Sequence, residues 1–235
     1  MERRDSHCLR HGSRSRRRSA EARRSSVMTY KVMLRLLVVL GTFVMARPGT
    51  ASAQQYEDHV ILLLDRSASM ALPAAGGLTR FQVAVQRAQA VVAAGGSTPR
   101  HYAVVSFNGA SYIMHRGFTT NTTLIQVTLN SLQVGMESAP VAHAICGSVD
   151  ELLAYRPQAL ARKRIALFLA SEDTGTPTSS QCYGPASTTP YPTPTPGSWQ
   201  YKVRNKLVSG DPNTVGNPQF PVVQDFDMLM PGPLE

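Results

Sequence analysis

Three side chains stand close enough in sequence to share one ligand. They are Asp65, Ser67 and Ser69, in the run Asp65-Arg66-Ser67-Ala68-Ser69-Met70. One carboxylate and two hydroxyls are hard oxygen donors, suited to Mg²⁺ or Mn²⁺ rather than Zn²⁺. A plainer reading also stands. Asp and Ser accept backbone hydrogen bonds in turns, so the trio can hold a loop and bind nothing. A third reading is an exported hydrolase with Asp65 or Ser67 as nucleophile. It needs a positioned base, and the sequence shows none. Phosphatases with an aspartate nucleophile place a second Asp two residues on; here that position is Ser67. There is no Gly-x-Ser-x-Gly elbow and no Walker A loop. His59, His101, His115 and His143 are scattered without zinc-site spacing and are read as structural or solvated.

The trio must be held by something stiff. Just before it, residues 59–64 read HVILLL, the continuous apolar run of a strand buried on both faces. Residues 79–94 follow with Phe81, Val85, Ala88 and Val92 at helical spacing, closed by Gly95-Gly96. Residues 102–107, YAVVSF, read as a second buried strand. Asn108-Gly109 is a turn, and residues 111–115 return as an antiparallel edge strand. Leu124, Ile125, Leu129 and Leu132 mark a helix capped near Asn121. Val141, Ile145, Val149 and Leu152 mark another, ending before Pro157. Residues 164–169, RIALFL, are a third buried strand. Residues 198–208 form a short helix with Trp199, Val203 and Leu207 on one side, and residues 220–229 a last strand. Strands alternating with amphipathic helices predict an α/β, doubly wound, mostly parallel sheet flanked by helices. A sixth strand and a final helix are expected to be missing before Glu235. Ligands of such sheets bind outside the carboxyl ends of the strands, which directs attention to the loops after Leu64, Leu132 and Leu169.

The Asp65-x-Ser67-x-Ser69 run, between an apolar strand and a helix, resembles the first motif of the von Willebrand factor A domain, its metal-ion-dependent adhesion site. The resemblance covers roughly residues 57–210. It implies direct cation ligands at Ser67 and Ser69, with Asp65 acting through water. The family's second motif is a Thr in a Gly-rich loop before a helix. Gly135-Met136-Glu137-Ser138 precedes the helix at Val141, so Ser138 resembles that position. The third motif is an Asp after the fourth strand. Aligning Glu172-Asp173-Thr174 with the family's run puts Ala170 there, one carboxylate short. The metal site is therefore degenerate; Glu137, Glu172 and Asp173 are candidates to compensate. The resemblance implies a protein-binding module without catalysis of its own, in which Mg²⁺ or Mn²⁺ is completed by an acidic side chain of a protein partner.

Charge narrows the classes further. Of 24 Lys/Arg and 15 Asp/Glu, residues 1–53 carry 12 and three; residues 54–235 carry 12 of each and no net charge. The basicity lies in the leader, which argues against nucleic acid and anionic membrane as partners. Residues 36–46, LLVVLGTFVMA, are too short for a membrane span but suit a signal peptide, with Lys31 and Arg35 before and Ala51-Ser52-Ala53 after. Met28 is a plausible true start. Residues 54–235 are expected to form one monomeric domain, secreted or periplasmic. Within it, residues 171–196 form a Ser/Thr/Pro-rich surface loop, read as a binding loop or a flexible insertion. Cys8 falls in the leader. Cys146 and Cys182 are an even pair in an exported chain, readable as one disulfide or as two separate thiols. Asn121-Thr122-Thr123 is a formal glycosylation sequon. N-terminal sequencing of the exported protein is expected to begin at Gln54; a mature chain that retains residues 36–46 would overturn the leader assignment.

Overall fold

The centre of the molecule is β1, Glu57–Asp65, buried along its whole length. A run of aliphatic side chains on both faces cannot meet water, so it must be paired on both edges and covered on both sides. In the computed structural model, which describes residues 56–190 and 192–229, this is what surrounds it. The leader with its apolar run, Met28, Cys8 and the cleavage position after Ala53 lie outside the described residues, which belong to the compact unit Gln54–Glu235.

Five strands form one sheet in the order β3-β2-β1-β4-β5. β2 (Arg100–Asn108), β4 (Ala161–Phe168) and β5 (Asp225–Leu229) run parallel to their neighbours on the β1 side, and only β3 (Ser111–Thr119) is antiparallel. Helices α1 (Arg80–Ala93) and α2 (Thr122–Ser131) cover one face, through Phe81, Ala84, Ala88, Ile125 and Leu129 against Leu62 and Leu64. Helices α3 (Val141–Ala154) and α4 (Trp199–Ser209) cover the other, through Ile145, Val149, Leu152 and Val203 against Ile61 and Leu63. Each fully buried aliphatic side chain contributes about 1.5–3 kcal/mol. The doubly wound α/β sheet expected from the sequence is present.

The helix starts follow local chemistry. Thr79 and Gln82 form a reciprocal capping box for α1, with Gln82 Oε1 accepting from Thr79 N and Thr79 Oγ1 accepting from Gln82 N. Asn121 caps α2 by accepting from Leu124 N, so the sequon asparagine is a capping residue. Ser198 caps α4 in the same way, and Gly210 ends it at φ +84°. The buried strands start two or three residues before the expected positions, at Glu57, Arg100 and Ala161, and other boundaries shift as well. β3 runs on to Thr119, because a bulge in the β2–β3 pairing lets the pair continue past His115. Leu132 ends α2 instead of lying within it, but stays buried. The last strand starts at Asp225, not 220; Asp225 is anchored by Arg162 and Arg164 (2.9 Å to the latter).

The described residues of the Ser/Thr/Pro-rich segment are in neither helix nor strand, as its prolines dictate. Its first part is nevertheless fastened. Cys182 is bonded to Cys146 on α3, and both are fully buried. Lys206 of α4 donates to Asp150 (2.5 Å) and to Gln181 (3.1 Å), and Gln181 donates to Asp150 (2.6 Å). A bridge spanning 36 residues restricts the unfolded chain by about 4 kcal/mol in the loop-entropy view. Replacing both cysteines by serine is expected to lower the unfolding free energy by about that much, read from guanidinium melts; an unchanged midpoint would show that the bridge contributes nothing.

Candidate functional site

Asp65 is the last residue of β1 and is completely buried. A carboxylate in that position must find donors inside the protein. Its Oδ1 accepts from the Ser67 amide at 2.7 Å, and its Oδ2 accepts from the Ala170 amide at 3.4 Å. One side chain thus ties the loop after β1 to the loop after β4. Burial pushes the Asp65 carboxyl above its ordinary value, while the hydrogen bonds from Ser67 and the Ala170 amide pull it back. Two residues on, Ser67 Oγ lies 2.9 Å from Ser69 Oγ. Ser67 is 3% exposed; Ser69 is half-buried at the start of a short 3₁₀ turn, Ala68–Ala71. The paired hydroxyls therefore stand beside the buried carboxylate at the strand's carboxyl end.

The second loop lies against the first. Gly135 N donates to Arg66 O at 2.6 Å, and Ala68 N donates to Glu137 O at 3.0 Å. Arg66 adds a side-chain tie, donating to the Gln133 carbonyl. Ser138, the proposed second-motif hydroxyl, is exposed and donates to Gly109 O at 3.1 Å. The turn after β2 holds this loop from the other side. Asn108 Nδ2 donates to Glu137 Oε2 at 2.7 Å, and Asn108 Oδ1 accepts from Glu137 N at 3.2 Å. Gly109 sits at φ +69°, a left-handed conformation that favours glycine, and a Cβ there would lie 2.3 Å from Glu137 Oε2 and displace that carboxylate from Asn108.

The third loop has a task that the sequence did not reveal. α3 begins at Pro140, whose own side chain caps nothing. The bare amides are met from the segment after β4. Asp173 Oδ1 accepts from Ala142 N at 3.1 Å, and Thr176 Oγ1 accepts from His143 N at 3.1 Å. Just before the helix, Thr174 Oγ1 accepts from Ala139 N at 3.0 Å. Asp173 also lies at the positive end of the helix dipole. Gly175 passes so close to Ser138 that a Cβ would sit 2.3 Å from its Oγ. Of the three carboxylates considered as substitutes for the missing third-motif Asp, Glu137 is engaged by Asn108 and Asp173 by α3, while Glu172 is exposed. Ala170 itself supplies only its amide.

Two Ser–His pairs occur among the described residues, Ser106 with His115 (2.7 Å) and Ser180 with His143 (3.1 Å). Both serines are buried, at 1% and 8% exposure, so neither hydroxyl is open to a substrate. Burial, with Arg66 nearby, lowers the His115 imidazole below its usual value; burial also lowers His143, against Asp173. The spacing of these serines and histidines carried no signal in sequence, because the pairing is made across strands and loops. Removing the Asp65 carboxylate leaves the Ser67 and Ala170 amides without an acceptor. In a chelator, where no cation contributes, Asp65→Ala is expected to cost about 1–3 kcal/mol of stability in denaturant melts, and Asp65→Asn less; equal stability of all three would show that the carboxylate ties nothing.

No family model matches the chain, and no curated protein matches it. Among solved structures it is similar to the conserved hypothetical protein BatB from Bacteroides thetaiotaomicron, at 18% identity over 47% of this chain and 52% of that chain, with a TM-score of 0.41. It is also similar to three N-terminal domains of the type V pili tip protein Mfa5 from Porphyromonas gingivalis (19% identity, 47% of this chain, 19% of that chain, TM-score 0.39). A third likeness is to the SpRpn10 VWA domain (12% identity, 75% of this chain, 90% of that chain, TM-score 0.49). The matched region spans about half the length of the BatB structure, 52%.

Proposed function

We propose that this chain is a secreted protein-binding module that recognises a partner through the loops at the carboxyl ends of β1 and β4, with a divalent cation assisting. The observation that carries the reading is the Ser67–Ser69 hydroxyl pair, 2.9 Å apart, next to the buried Asp65 carboxylate. The donor chemistry fits a hard cation: two hydroxyls and one carboxylate suit Mg²⁺ or Mn²⁺. Ser67 and Ser69 would hold it directly, Asp65 would act through water, and Ser138 would contribute from the adjoining loop. When bound, the cation supplies an open coordination position for an acidic side chain of a protein partner. With Ala170 in place of a carboxylate, little protein charge faces the ion, so weak binding follows from electrostatics alone.

A second reading is a metal-free scaffold that binds its partner through the same loops. Ala170 favours it, as do the amides that already occupy both oxygens of Asp65. A hydrolase using Asp65 or Ser67 has less support, since both are buried and neither has a histidine hydrogen-bonded to it among the described residues. A secreted location rests on the leader pattern and the Cys146–Cys182 bridge. Among the described residues no helix is long and apolar enough to cross a membrane.

Calorimetric titration with Mg²⁺ and Mn²⁺ tests the cation. Asp65→Ala is expected to abolish binding, and Ser67→Ala or Ser69→Ala to weaken it. Ala170→Asp restores a carboxylate and is expected to raise affinity about tenfold or more, from the roughly 1.5–3 kcal/mol of a charge-assisted contact. Should Glu172 or Asp173 already compensate, Ala170→Asp gains nothing and Glu172→Gln or Asp173→Asn loses binding. Silence of every variant at millimolar ion leaves the metal-free scaffold.

A further inference from the structure

The amino end of β1 carries a second polar cluster, at the opposite end of the strand from Asp65. Glu57 is buried there and His59 is completely buried. The Glu57 carboxylate is shared. Its Oε1 lies 2.8 Å from His59 Nε2. Its Oε2 lies 3.1 Å from His101 Nε2 and accepts from Arg156 Nη1 at 2.7 Å. Parallel register sets His59 opposite His101 on β2 and opposite Lys163 on β4. Tyr155 reaches His101 Nδ1 through its hydroxyl at 2.9 Å, and its ring meets the His59 ring at 4.8 Å. β3 contributes Phe118, whose ring is 6.0 Å from that of His59 and stacks on Tyr155 at 4.1 Å. His59 Nδ1 has no hydrogen-bond partner among the described residues.

This arrangement accepts one protonation state of His59 and opposes the other. With Nε2–H donated to Glu57, the neutral ring leaves only a lone pair unpaired. A second proton must go on Nδ1, where nothing accepts it, and an unpaired buried donor is costly. The added charge would also face His101 and Lys163, with the single Glu57 carboxylate already paired to Arg156. The backbone is already strained at this place. Arg156 adopts φ +44°, the left-handed region that disfavours residues with a Cβ, and its ion pair with Glu57 fastens it there. We propose that the cluster is an acid-sensitive latch: protonation of His59 breaks the Glu57-centred network, releases the Tyr155–Arg156 turn and frees the carboxyl-terminal end of α3 from the sheet.

The direction of the effect follows from the environment. Burial holds the His59 imidazole below its ordinary value, although Glu57 opposes this. Burial raises the Glu57 carboxyl, but His59, Arg156 and His101 outweigh it and hold the group below its usual value, so Glu57 stays ionised as His59 titrates. As pH falls through about 6.5, the open form takes a proton that the closed form refuses. Each pH unit then shifts the balance toward opening by up to about tenfold per proton.

Amide hydrogen exchange on the purified chain with its disulfide intact tests this. After correction for the pH dependence of exchange chemistry, amides at 58–60, 101–103 and 153–155 are expected to lose about tenfold protection per pH unit between roughly pH 6.5 and 5. Amides at 165–168 should keep theirs. His59→Gln retains a donor for Glu57 but does not titrate, and should flatten the response. If that variant does not fold, nitrogen NMR of the wild-type imidazole decides instead: His59 should gain its second proton together with the loss of protection. A uniform loss across the sheet, an unchanged response in His59→Gln, or a charged His59 with protection intact would each overturn the latch.

Discussion

A strand buried on both faces and paired on both edges can be polar only at its ends, and this constraint on β1 organises the molecule. Residues 60–64 are aliphatic because nothing else survives there. The first and last residues of the strand, Glu57 and Asp65, are carboxylates taken out of water. Each must be answered from neighbouring elements, and each answer recruits a different part of the chain. At the amino end the partners are side chains: two imidazoles and a guanidinium around one carboxylate. At the carboxyl end they are backbone amides, from the loop that follows and from the loop after β4.

The difference between the two ends is physical. Among the partners of Glu57, His59 can take up a proton, and the proposed latch belongs to this end. At the Asp65 end the donors are amides that keep their protons, and they tie two loops together, with a hydroxyl pair, one member buried and one half-buried, beside them. Around that tie, the second loop is pinned by two backbone hydrogen bonds to residues 66–68 and by the reciprocal Asn108–Glu137 pair. The face formed by these loops is therefore held by its own hydrogen bonds, and a partner that docked there as proposed would order little backbone.

The architecture was legible because its signal is local and redundant. Apolar runs at 59–64, 102–107 and 164–169 have no other stable home, and Thr79, Asn121 and Ser198 announce their helices by type and position. The Asp65, Ser67 and Ser69 grouping was legible because its members lie within five residues. What was hidden depends on contacts between distant segments. Glu57, His59, His101 and Arg156 look unrelated in sequence; register alone sets His59 beside His101. Asp173 read as a possible ligand, whereas its carboxylate serves the start of α3. Pro140 gave no hint of this, since a helix capped from elsewhere has no capping residue of its own to recognise. The length of β3 was underestimated because a bulge breaks the alternation that marks a strand.

The borrowed cap has a bearing on the order of assembly. α3 leaves the ribosome before the residues that satisfy its first turn, which follow 31 and 33 positions later in the chain. Until they arrive, the helix start has open amides, and Cys146 has no partner thiol because Cys182 comes later still. These residues are also made later than β1, α1 and β2, so the start of α3 is completed only after those elements are available to pair. The nascent chain thus has an interval in which most of the sheet can exist while the segment after β4 remains unattached. An oxidant or a folding helper acting in that interval meets a free Cys146 that the finished protein no longer offers.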